Sequence, residues 1–368
     1  MEQTISRSDA PVEEGDNSAF AAAVGLSGRW LAISETNWDS GGSRAAVHLF
    51  QRTAGKMVRP WQWRQQVEVD GISALAYDSF PEFPMALTEQ ELVVAAPWPE
   101  GLAIYHPERS GKWVKAQAIP QAFGGTVWPS GKILVSDDLM AFSNIGGSLF
   151  VFSRDAATGE WQPEREFPKG VVRSPNDFFL SGNRLALFRR GNLDQPVLVE
   201  LHERTPRGTW LEEETVELFD RDSILVSTVN LHAAFDDDDL VVVLGHADFL
   251  GNPAGGSTLW RLGKEAGGWS IVDEVEMPYQ SSRVAVKEGC ILVHGFSFDL
   301  LGNPMIAQPA MLDRSFQRRG NVPPPVGMAA LDGARFATSA FRVDFLGNVA
   351  DQQATIYKNP WAGWFRRR

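Results

Sequence analysis

Short apolar runs recur in pairs along the chain, and each pair is joined by a polar or glycine-containing turn. The runs are rich in β-branched and aromatic residues, which is typical of short β-strands. Because successive positions within a run are apolar, we expect these strands to be covered on both faces. The seven pairs occupy residues 22–25 and 30–33, 85–87 and 92–94, 133–135 and 140–142, 178–180 and 185–187, 233–235 and 241–243, 284–286 and 291–293, and 328–330 and 336–338.

A third apolar run comes after most pairs, beyond a variable loop, and a tryptophan then opens a fourth strand. The third runs cover residues 47–50, 102–105, 149–152, 197–201, 259–262 and 354–357. In four copies the tryptophan ends a Gly-x-Trp motif, at Trp113, Trp161, Trp210 and Trp269. Trp63 lies one period upstream of these copies, and Trp364 lies about two periods downstream.

The spacing of the tryptophans predicts a repeat architecture. Successive intervals from Trp63 are 50, 48, 49 and 59 residues, and a period of about fifty residues is typical of propeller blades. We predict an all-β fold, a single seven-bladed β-propeller with four-stranded blades over residues 18–368. Blades are expected to start near residues 18, 84, 131, 177, 231, 283 and 326. Each tryptophan should belong to the core and cover the seam between neighbouring sheets.

Composition narrows the class of protein. The formal charge of −12 repels phosphate backbones, so nucleic acid is not an expected partner. The single cysteine, Cys290, allows no internal disulfide, and no run approaches the roughly 20 apolar residues of a membrane span. Residues 1–17 are polar and lack the apolar core of a signal peptide. We expect a cytoplasmic protein with no membrane partner and a disordered tail over residues 1–17, although a few residues before Phe20 could instead add a strand that closes the ring.

The third unit resembles a known repeat. Residues 140–161 run as a short apolar strand, a glycine-containing loop, an apolar strand with a basic end, and a Gly-x-Trp motif. This order resembles the FG-GAP-type propeller repeat, and the other units match it more loosely. The resemblance implies a propeller, commonly of seven blades and often used for binding. The calcium loops that such repeats often carry are missing, because the acidic run at residues 236–239 has no glycine after it.

Three consecutive units share the loop motif Asp-[Phe/Leu]-Leu-Gly-Asn between their second and third strands. Its copies begin at Asp248, Asp299 and Asp344. The motif suits a tight turn, because aspartate accepts main-chain hydrogen bonds and Gly-Asn tolerates positive φ. The alternative is that the three carboxylates line one side of a rim and contact a ligand.

Two histidines precede these loops and are our candidate catalytic residues. His246 and His294 come after apolar strands on adjacent blades, and imidazole titrates near neutral pH. With Asp248 or Asp299 to orient a ring, they would act as an acid–base pair. Two histidines with Asp248 would also suit a metal, and satisfied polar positions in the core are the third interpretation. We predict no metal and no cofactor.

Arginines, aromatic residues and one aspartate near the same loops are candidate ligand-binding residues. Arginine forks suit carboxylates and phosphates, so the ligand is expected to be anionic, unless these arginines only pair with neighbouring acids. Aromatic side chains are frequent anchors in protein interfaces. The candidates are Arg173, Arg189, Arg283, Arg342, Trp38, Trp98, Trp128, Tyr279, Phe298 and Asp344.

Two functions remain open. The first is a binding or scaffold protein that presents its loop rim to a protein partner or to a small ligand, for which the arginines favour an anion. The second is a cofactor-independent enzyme, a lyase, cyclase or hydrolase, with its active site at the mouth of the central channel. Fold alone does not decide between them, because propellers host unrelated functions.

Overall fold

The computed structural model describes residues 3–10, 18–39, 42–55, 60–69, 84–97, 99–127, 129–144, 147–168, 177–190, 197–218, 225–236, 238–247, 253–298, 304–306, 310–321, 329–332, 335–343 and 349–358. These residues form β-strands, turns and one short 3-10 helix, η1 (Arg7–Asp9). Over the described ranges, no helix has the length and apolarity that a membrane crossing requires.

The chain divides into two compact units. The first unit comprises Met1–Gly170 and Gly327–Asn359 and holds four blades. Blade one is β2 (Ser18–Ser27), β3 (Trp30–Asp39), β4 (Gly42–Arg52) and β5 (Trp61–Val69); blade two is β6 (Met85–Leu87), β7 (Leu92–Ala96), β8 (Gly101–Pro107) and β9 (Trp113–Ile119). A small hairpin, β10 (Gln121–Ala122) and β11 (Gly125–Thr126), precedes blade three, which is β12 (Pro129–Ser136), β13 (Leu139–Asn144), β14 (Leu149–Arg154) and β15 (Trp161–Phe167). Blade seven is β29 (Ala329–Asp332), β30 (Arg335–Val343), β31 (Val349–Lys358) and β1 (Gln3–Ser6).

The second unit comprises Val171–Val326 and Pro360–Arg368 and holds three blades. Blade four is β16 (Phe178–Ser181), β17 (Arg184–Arg190), β18 (Val197–Arg204) and β19 (Trp210–Glu217). Blade five is β20 (Leu225–Asp236), β21 (Asp239–Ala247), β22 (Pro253–Glu265) and β23 (Gly268–Met277). Blade six is β24 (Gln280–Lys287), β25 (Cys290–Phe298), β27 (Ala310–Leu312) and β28 (Arg318–Asn321), with β26 (Pro304–Ile306) paired to the end of β25.

This architecture confirms the predicted fold class, a seven-bladed β-propeller of four-stranded antiparallel sheets. Strands within each blade are arranged in chain order, apart from the strand β1 that completes blade seven. The first strands of the blades begin at residues 18, 85, 129, 178, 225, 280 and 329.

The first and last blades are joined by the N-terminal strand. β1 pairs antiparallel with β31, from Gln3 opposite Ile356 to Ser6 opposite Gln353. Ile5 is fully buried in the core between blades seven and one. The expectation of a disordered tail is therefore wrong for these residues, because an apolar side chain and main-chain pairing fix them. The strand-addition alternative describes them correctly.

The cores lie between consecutive blades. Within the first unit, separate apolar clusters join blades seven and one, one and two, and two and three. Within the second unit, clusters join blades four and five, and five and six. Trp30, Trp113 and Trp161 are among the largest fully buried side chains, as expected for residues that cover the seams between sheets.

One tryptophan of the predicted repeat was assigned wrongly. Trp61, which is 2% exposed, opens the outer strand of blade one, whereas Trp63 is 37% exposed. Trp61 sits opposite Arg52, just as Trp113 sits opposite Pro107 and Trp161 opposite Arg154. Counting Gly-x-Trp intervals placed the repeat two residues late, because blade one has no such glycine before Trp61.

A glutamine clamp fastens each of three tryptophans to the neighbouring blade. The amide of Gln65 donates to the carbonyl oxygen of Trp113 at 3.0 Å and accepts from its main-chain N–H at 2.9 Å. Gln117 makes the same pair of bonds to Trp161, and Gln3 makes it to Trp61. Both hydrogen-bonding groups at the start of each of these outer strands are thereby satisfied.

Six described outer strands carry a β-bulge at the same place. In blade one, Leu49 faces Gln65 and Phe50 faces Trp63, so that Arg64 is the extra residue. We call the residue pair at this position the bulge pair. The bulge pairs of blades one to six are Trp63–Arg64, Lys115–Ala116, Pro163–Glu164, Glu212–Glu213, Ile271–Val272 and Arg318–Arg319. The bulge belongs to the fold, because it recurs with unrelated side chains.

Candidate functional site

A groove of about 700 Å³ opens in the first unit and is lined by four arginines. We call it the arginine groove. Its lining residues come from blades one, two and seven and are Gly28, Arg29, Gln51, Arg52, Thr53, Ala54, Arg64, Glu89, Gln90 and Arg335. Among them Glu89 is the single carboxylate. Among the described lining residues, arginines therefore outnumber carboxylates by four to one, in a chain whose formal charge is −12.

Turns at one end of the blades position these side chains. Arg29 lies in the turn between β2 and β3, and Glu89 lies in the equivalent turn of blade two. Arg335 is the first residue of β30 in blade seven, and Arg52 is the last residue of β4. In an antiparallel blade the turns between strands one and two and between strands three and four share one end. We call this end the turn rim; the predicted loop rim lies at the other end.

Local contacts hold the groove in shape. The guanidinium of Arg29 lies 5.5 Å from the ring centre of the fully buried Trp30. Arg64 donates through Nε to the side-chain oxygen of Gln51 at 3.1 Å. Both arginines remain exposed, so their charges face the groove and solvent while these contacts restrain their stems.

Gly28 brings Glu89 into the groove. Its φ is +53°, and a Cβ added there would lie 1.9 Å from Oε1 of Glu89. The glycine thus provides both the left-handed turn and the space for the carboxylate. Glu89 lowers the positive charge of the groove without neutralising it.

A second groove of about 760 Å³ adjoins the first, and both are lined by Arg64. We call it the tryptophan groove. Its lining residues are Trp63, Arg64, Gln65, Gln66, Ser110, Gly111 and Lys112. It contains an exposed indole, two cations and several neutral hydrogen-bonding groups, and no acidic side chain is among the described residues that line it.

His246 belongs to a polar cluster in the second unit. Its Nε2 is 2.9 Å from Oγ1 of Thr258, and its carbonyl oxygen accepts from the side chain of Gln280 at 2.8 Å. Nearby, Ser257 donates to the hydroxyl of Ser281 at 2.7 Å. Burial lowers the pKa of His246, with the charge of Glu276 opposing the shift. A half-buried, neutral imidazole can accept a proton, but its observed contacts are those of a satisfied polar residue.

Tyr279 lies in the core and not on an exposed rim. It is 8% exposed and packs in the cluster between blades five and six. Burial raises the pKa of its hydroxyl to about 12, while the charge of Arg318 acts in the opposite direction. No described residue accepts a hydrogen bond from this hydroxyl. Its predicted use as a surface anchor is therefore wrong.

The remaining predicted residues are only partly placed. Arg189 is exposed and forms an ion pair with Glu200 on the neighbouring strand, and Arg283 is half-buried in β24. Trp38, His294, Phe298 and Arg342 occupy strand positions opposite Ser43, Arg283, Pro304 and Asp351. Arg173, Trp98, Trp128, Asp248, Asp299 and Asp344 lie outside the described residues. The acid–base pair and the three-carboxylate rim thus stay predictions.

Two histidine–glutamate contacts, one of them fully buried, were missed from the sequence. In blade one, Nε2 of His48 lies 2.6 Å from Glu35, and both side chains are buried. No described residue bonds to Nδ1 of His48. In blade two, the buried Glu91 contacts His106 at 3.0 Å and also binds Arg154 and the indole N–H of Trp161 from blade three. The partners of Glu35 and Glu91 lie on other strands or other blades, so spacing along the chain gives no signal for them.

In the acidic run at residues 236–239, the side chain of Asp236 forms contacts within the fold. Asp236 is buried and accepts from the main-chain N–H groups of Glu288 and Gly289 at 2.8 and 2.6 Å. Arg314 lies 3.1 Å from the same carboxylate. The carboxylate of Asp236 therefore binds the turn of the next blade. Over the described residues, no group of three potential metal-ligating side chains is found.

Comparison with known proteins shows the fold. No family model matches the chain, and no curated protein matches it. The β-propeller domain of the Trilobed protease from Pyrococcus furiosus, with an open velcro topology, is similar at a TM-score of 0.51 and 7% identity, over 94% of this chain and 96% of that chain. Sqt1 from Chaetomium thermophilum is similar at a TM-score of 0.50 and 13% identity, over 90% of this chain and 83% of that chain.

The shared fold is the β-propeller. Identities of 7% and 13% support no common activity, since propellers with the same architecture serve unrelated functions. The FG-GAP resemblance stays a prediction.

Proposed function

We propose that this protein is a binding protein that holds an anionic ligand, or an acidic segment of a partner, in the arginine groove. The observation that carries the proposal is the gathering of Arg29, Arg52, Arg64 and Arg335 around one concave surface. These residues are separated by up to about three hundred positions in sequence, and blades one and seven bring them together.

The dimensions and charge of the groove support this function. A volume of about 700 Å³ lies within the roughly 300–1,000 Å³ of typical ligand sites. Guanidinium forks bind carboxylates and phosphates through paired hydrogen bonds. A surface on which four guanidinium groups lie beside one carboxylate attracts anions. The groove is therefore better suited to an anion than to a neutral or cationic ligand.

A binding function also agrees better with the described side chains than catalysis does. Of the four predicted catalytic residues, His246 is the one whose side chain is described, and it is hydrogen-bonded within its own blade. Catalysis at the loop rim stays a prediction that rests on His294, Asp248 and Asp299. Anion binding in the arginine groove does not depend on these residues.

Fluorescence anisotropy with fluorescein-labelled hexaglutamate tests the proposal. We expect the wild-type protein to bind this probe and the double variant R29A/R335A to bind it at least about tenfold more weakly, since charge-assisted contacts contribute on the order of 1 kcal/mol or more each. The two substitutions lie on blades one and seven and remove no residue of the apolar core.

The matched control is R207A, which removes an exposed arginine from the turn between strands three and four of blade four. It should bind the probe like the wild type. Equal binding by the wild type and R29A/R335A, with both proteins folded by circular dichroism, would show that the groove is not the anion site and overturn the proposal.

A further inference from the structure

We infer that the ligand of the two adjoining grooves is an acidic polypeptide segment that carries an apolar side chain, which packs on Trp63 while its carboxylates bind the arginines. The inference rests on the proposed function and names the class of partner. It is argued from the position of Trp63, from the bulge that presents it, and from the polar groups around it.

Trp63 is exposed without a structural reason. Trp63 is the first residue of the bulge pair of blade one. Blades two to six have lysine, proline, glutamate, isoleucine and arginine at this position. The fold therefore does not require an aromatic side chain at this position. An indole that is 37% exposed offers apolar surface that a partner can cover, and such burial is favourable.

Blade one places an arginine directly after the aromatic side chain. Its bulge pair joins an indole to a guanidinium, Trp63 to Arg64, whereas in blade five the pair is Ile271–Val272 without a charge. Arg64 lines both grooves. A ligand that places an apolar group on Trp63 therefore has an arginine directly beside that group and three more arginines in the adjoining groove.

The polar residues of the tryptophan groove favour a peptide. Gln66 and Ser110 line it with an amide and a hydroxyl, and such neutral groups pair well with main-chain N–H and C=O groups. Gln51 joins the two grooves, because it accepts from Arg64 and its Oε1 lies 3.0 Å from the position of a Cβ on Gly111. An extended segment can cross this junction with its main chain against Gln66 and its acidic side chains toward Arg29, Arg52 and Arg335.

Nucleic acid is the competing class, since bases also stack on tryptophan. The charge of the chain opposes it. A phosphate backbone carries a charge on every nucleotide and would meet the acidic remainder of a protein with a formal charge of −12. A peptide can confine its carboxylates to the groove and present neutral groups elsewhere. Glu89, which lies in the arginine groove itself, would also repel a continuous polyanion.

Two labelled octapeptides test the inference by fluorescence anisotropy. Both alternate glutamate with serine, and one has a central leucine in place of a serine. We expect the leucine peptide to bind the full-length protein about fivefold or more tightly than the serine peptide, as an interface anchor does. The variant W63A should lose this difference and keep the weaker affinity for the serine peptide. E89Q should bind both peptides more tightly, because it removes a carboxylate from the groove.

The matched control for W63A is I271A, which removes an exposed apolar residue, 40% exposed, from the same bulge position of blade five. It should bind both peptides like the wild type. If the two peptides bind alike and W63A changes nothing while R29A/R335A still weakens both, the peptide inference is wrong and the proposed function stands. If R29A/R335A weakens neither, the proposed function itself fails.

Competition identifies the class of polymer. An unlabelled thymidine oligonucleotide of the same net charge should displace the leucine peptide at least about tenfold less effectively than the unlabelled peptide does. Displacement by the oligonucleotide at equal or lower concentration would assign the site to nucleic acid and overturn the inference. A thymidine oligonucleotide suits this test because it has little secondary structure and offers every base for stacking.

Discussion

At the scale of single residues, burial decides how His246 behaves. Burial lowers its pKa below the ordinary value of 6.5, because a charged imidazole loses hydration in the cluster. The unfolded chain therefore takes up a proton at a higher pH than the folded chain does. Between these two pKa values the unfolded state holds more protons, so stability falls as the pH is lowered below about 6.5.

Replacing this side chain should remove that part of the pH dependence. We expect H246Q, whose amide can still bond to Thr258, to lose less stability than the wild type when the pH falls from about 7 toward 5. Urea unfolding at a series of pH values measures the unfolding free energy of each protein and so its pH dependence. Parallel curves for the two proteins would mean that His246 titrates alike in both states and that its burial has no energetic effect.

The arginines show how a binding surface can be missed at the scale of single residues. The four arginines of the groove lie in four different sequence contexts and share no motif, whereas the sequence-based prediction names Arg173, Arg189, Arg283 and Arg342 near the loop rim. A usable signal did exist: Arg29 directly follows a turn glycine and precedes a core tryptophan. That signal marks a residue at the turn rim, although it does not show which other residues share its surface.

At the scale of the element, the glutamine clamp ties neighbouring outer strands together. Its sequence signature is a Trp-x-x-x-Gln spacing, seen at Trp61 with Gln65 and at Trp113 with Gln117. In blade four Glu214 replaces the glutamine and accepts from the main-chain N–H of Trp269 at 2.6 Å. The acceptor half of the clamp is therefore kept even where the donor half is absent.

Removing one clamp should destabilise the fold. We expect Q65A to lose about 1–3 kcal/mol of unfolding free energy, since the N–H and C=O groups of Trp113 lose these partners. Q65E, which keeps the acceptor, should lose less. The measurement is urea-induced unfolding followed by tryptophan fluorescence.

The control for the clamp is Q66A, which truncates the exposed neighbour of Gln65. It should change the unfolding free energy by no more than about 0.5 kcal/mol, as surface substitutions usually do. An equal loss in Q65A and Q66A would mean that the clamp contributes nothing beyond the strand itself.

At the scale of the whole molecule, the net negative charge of the chain and the arginines of the groove act on an acidic ligand in opposite directions. The chain as a whole carries −12 and repels an acidic peptide at a distance, whereas the contacts that we propose in the arginine groove attract it at short range. Salt screens long distances first, with a Debye length of about 30 Å at 0.01 M and about 10 Å at 0.1 M. The approach of the peptide and its final contacts should therefore respond differently to salt.

We expect the association rate of the acidic octapeptides to rise between about 0.01 and 0.1 M salt, as the long-range repulsion is screened. Above that range the dissociation rate should increase, because the arginine contacts weaken. Stopped-flow anisotropy separates the two rates, and an uncharged peptide serves as the reference. A steady fall of the association rate from the lowest salt would show that the field of the groove dominates at all distances.

The sequence by itself determined the class of fold. Paired apolar runs and tryptophans at intervals near fifty residues specify strands that no single sheet can bury, so stacked blades are the physical solution. The fully buried Trp30, Trp113 and Trp161 show that this pattern reflects core packing. The Trp-x-x-x-Gln spacing of the glutamine clamp is also visible in the sequence. The misassigned Trp63 shows, however, that intervals alone do not distinguish a buried position from an exposed one two residues away.

The tertiary structure alone decided which polar residues meet. Arg29 and Arg335 share a groove because blade seven packs beside blade one, a contact completed by the strand Gln3–Ser6. Glu91 finds Arg154 and Trp161 across a blade interface. Such contacts join residues that are distant along the chain, and their side chains show no period. Apolar burial repeats in every blade and can be read from sequence, whereas a binding surface is formed once, by the blades that happen to adjoin.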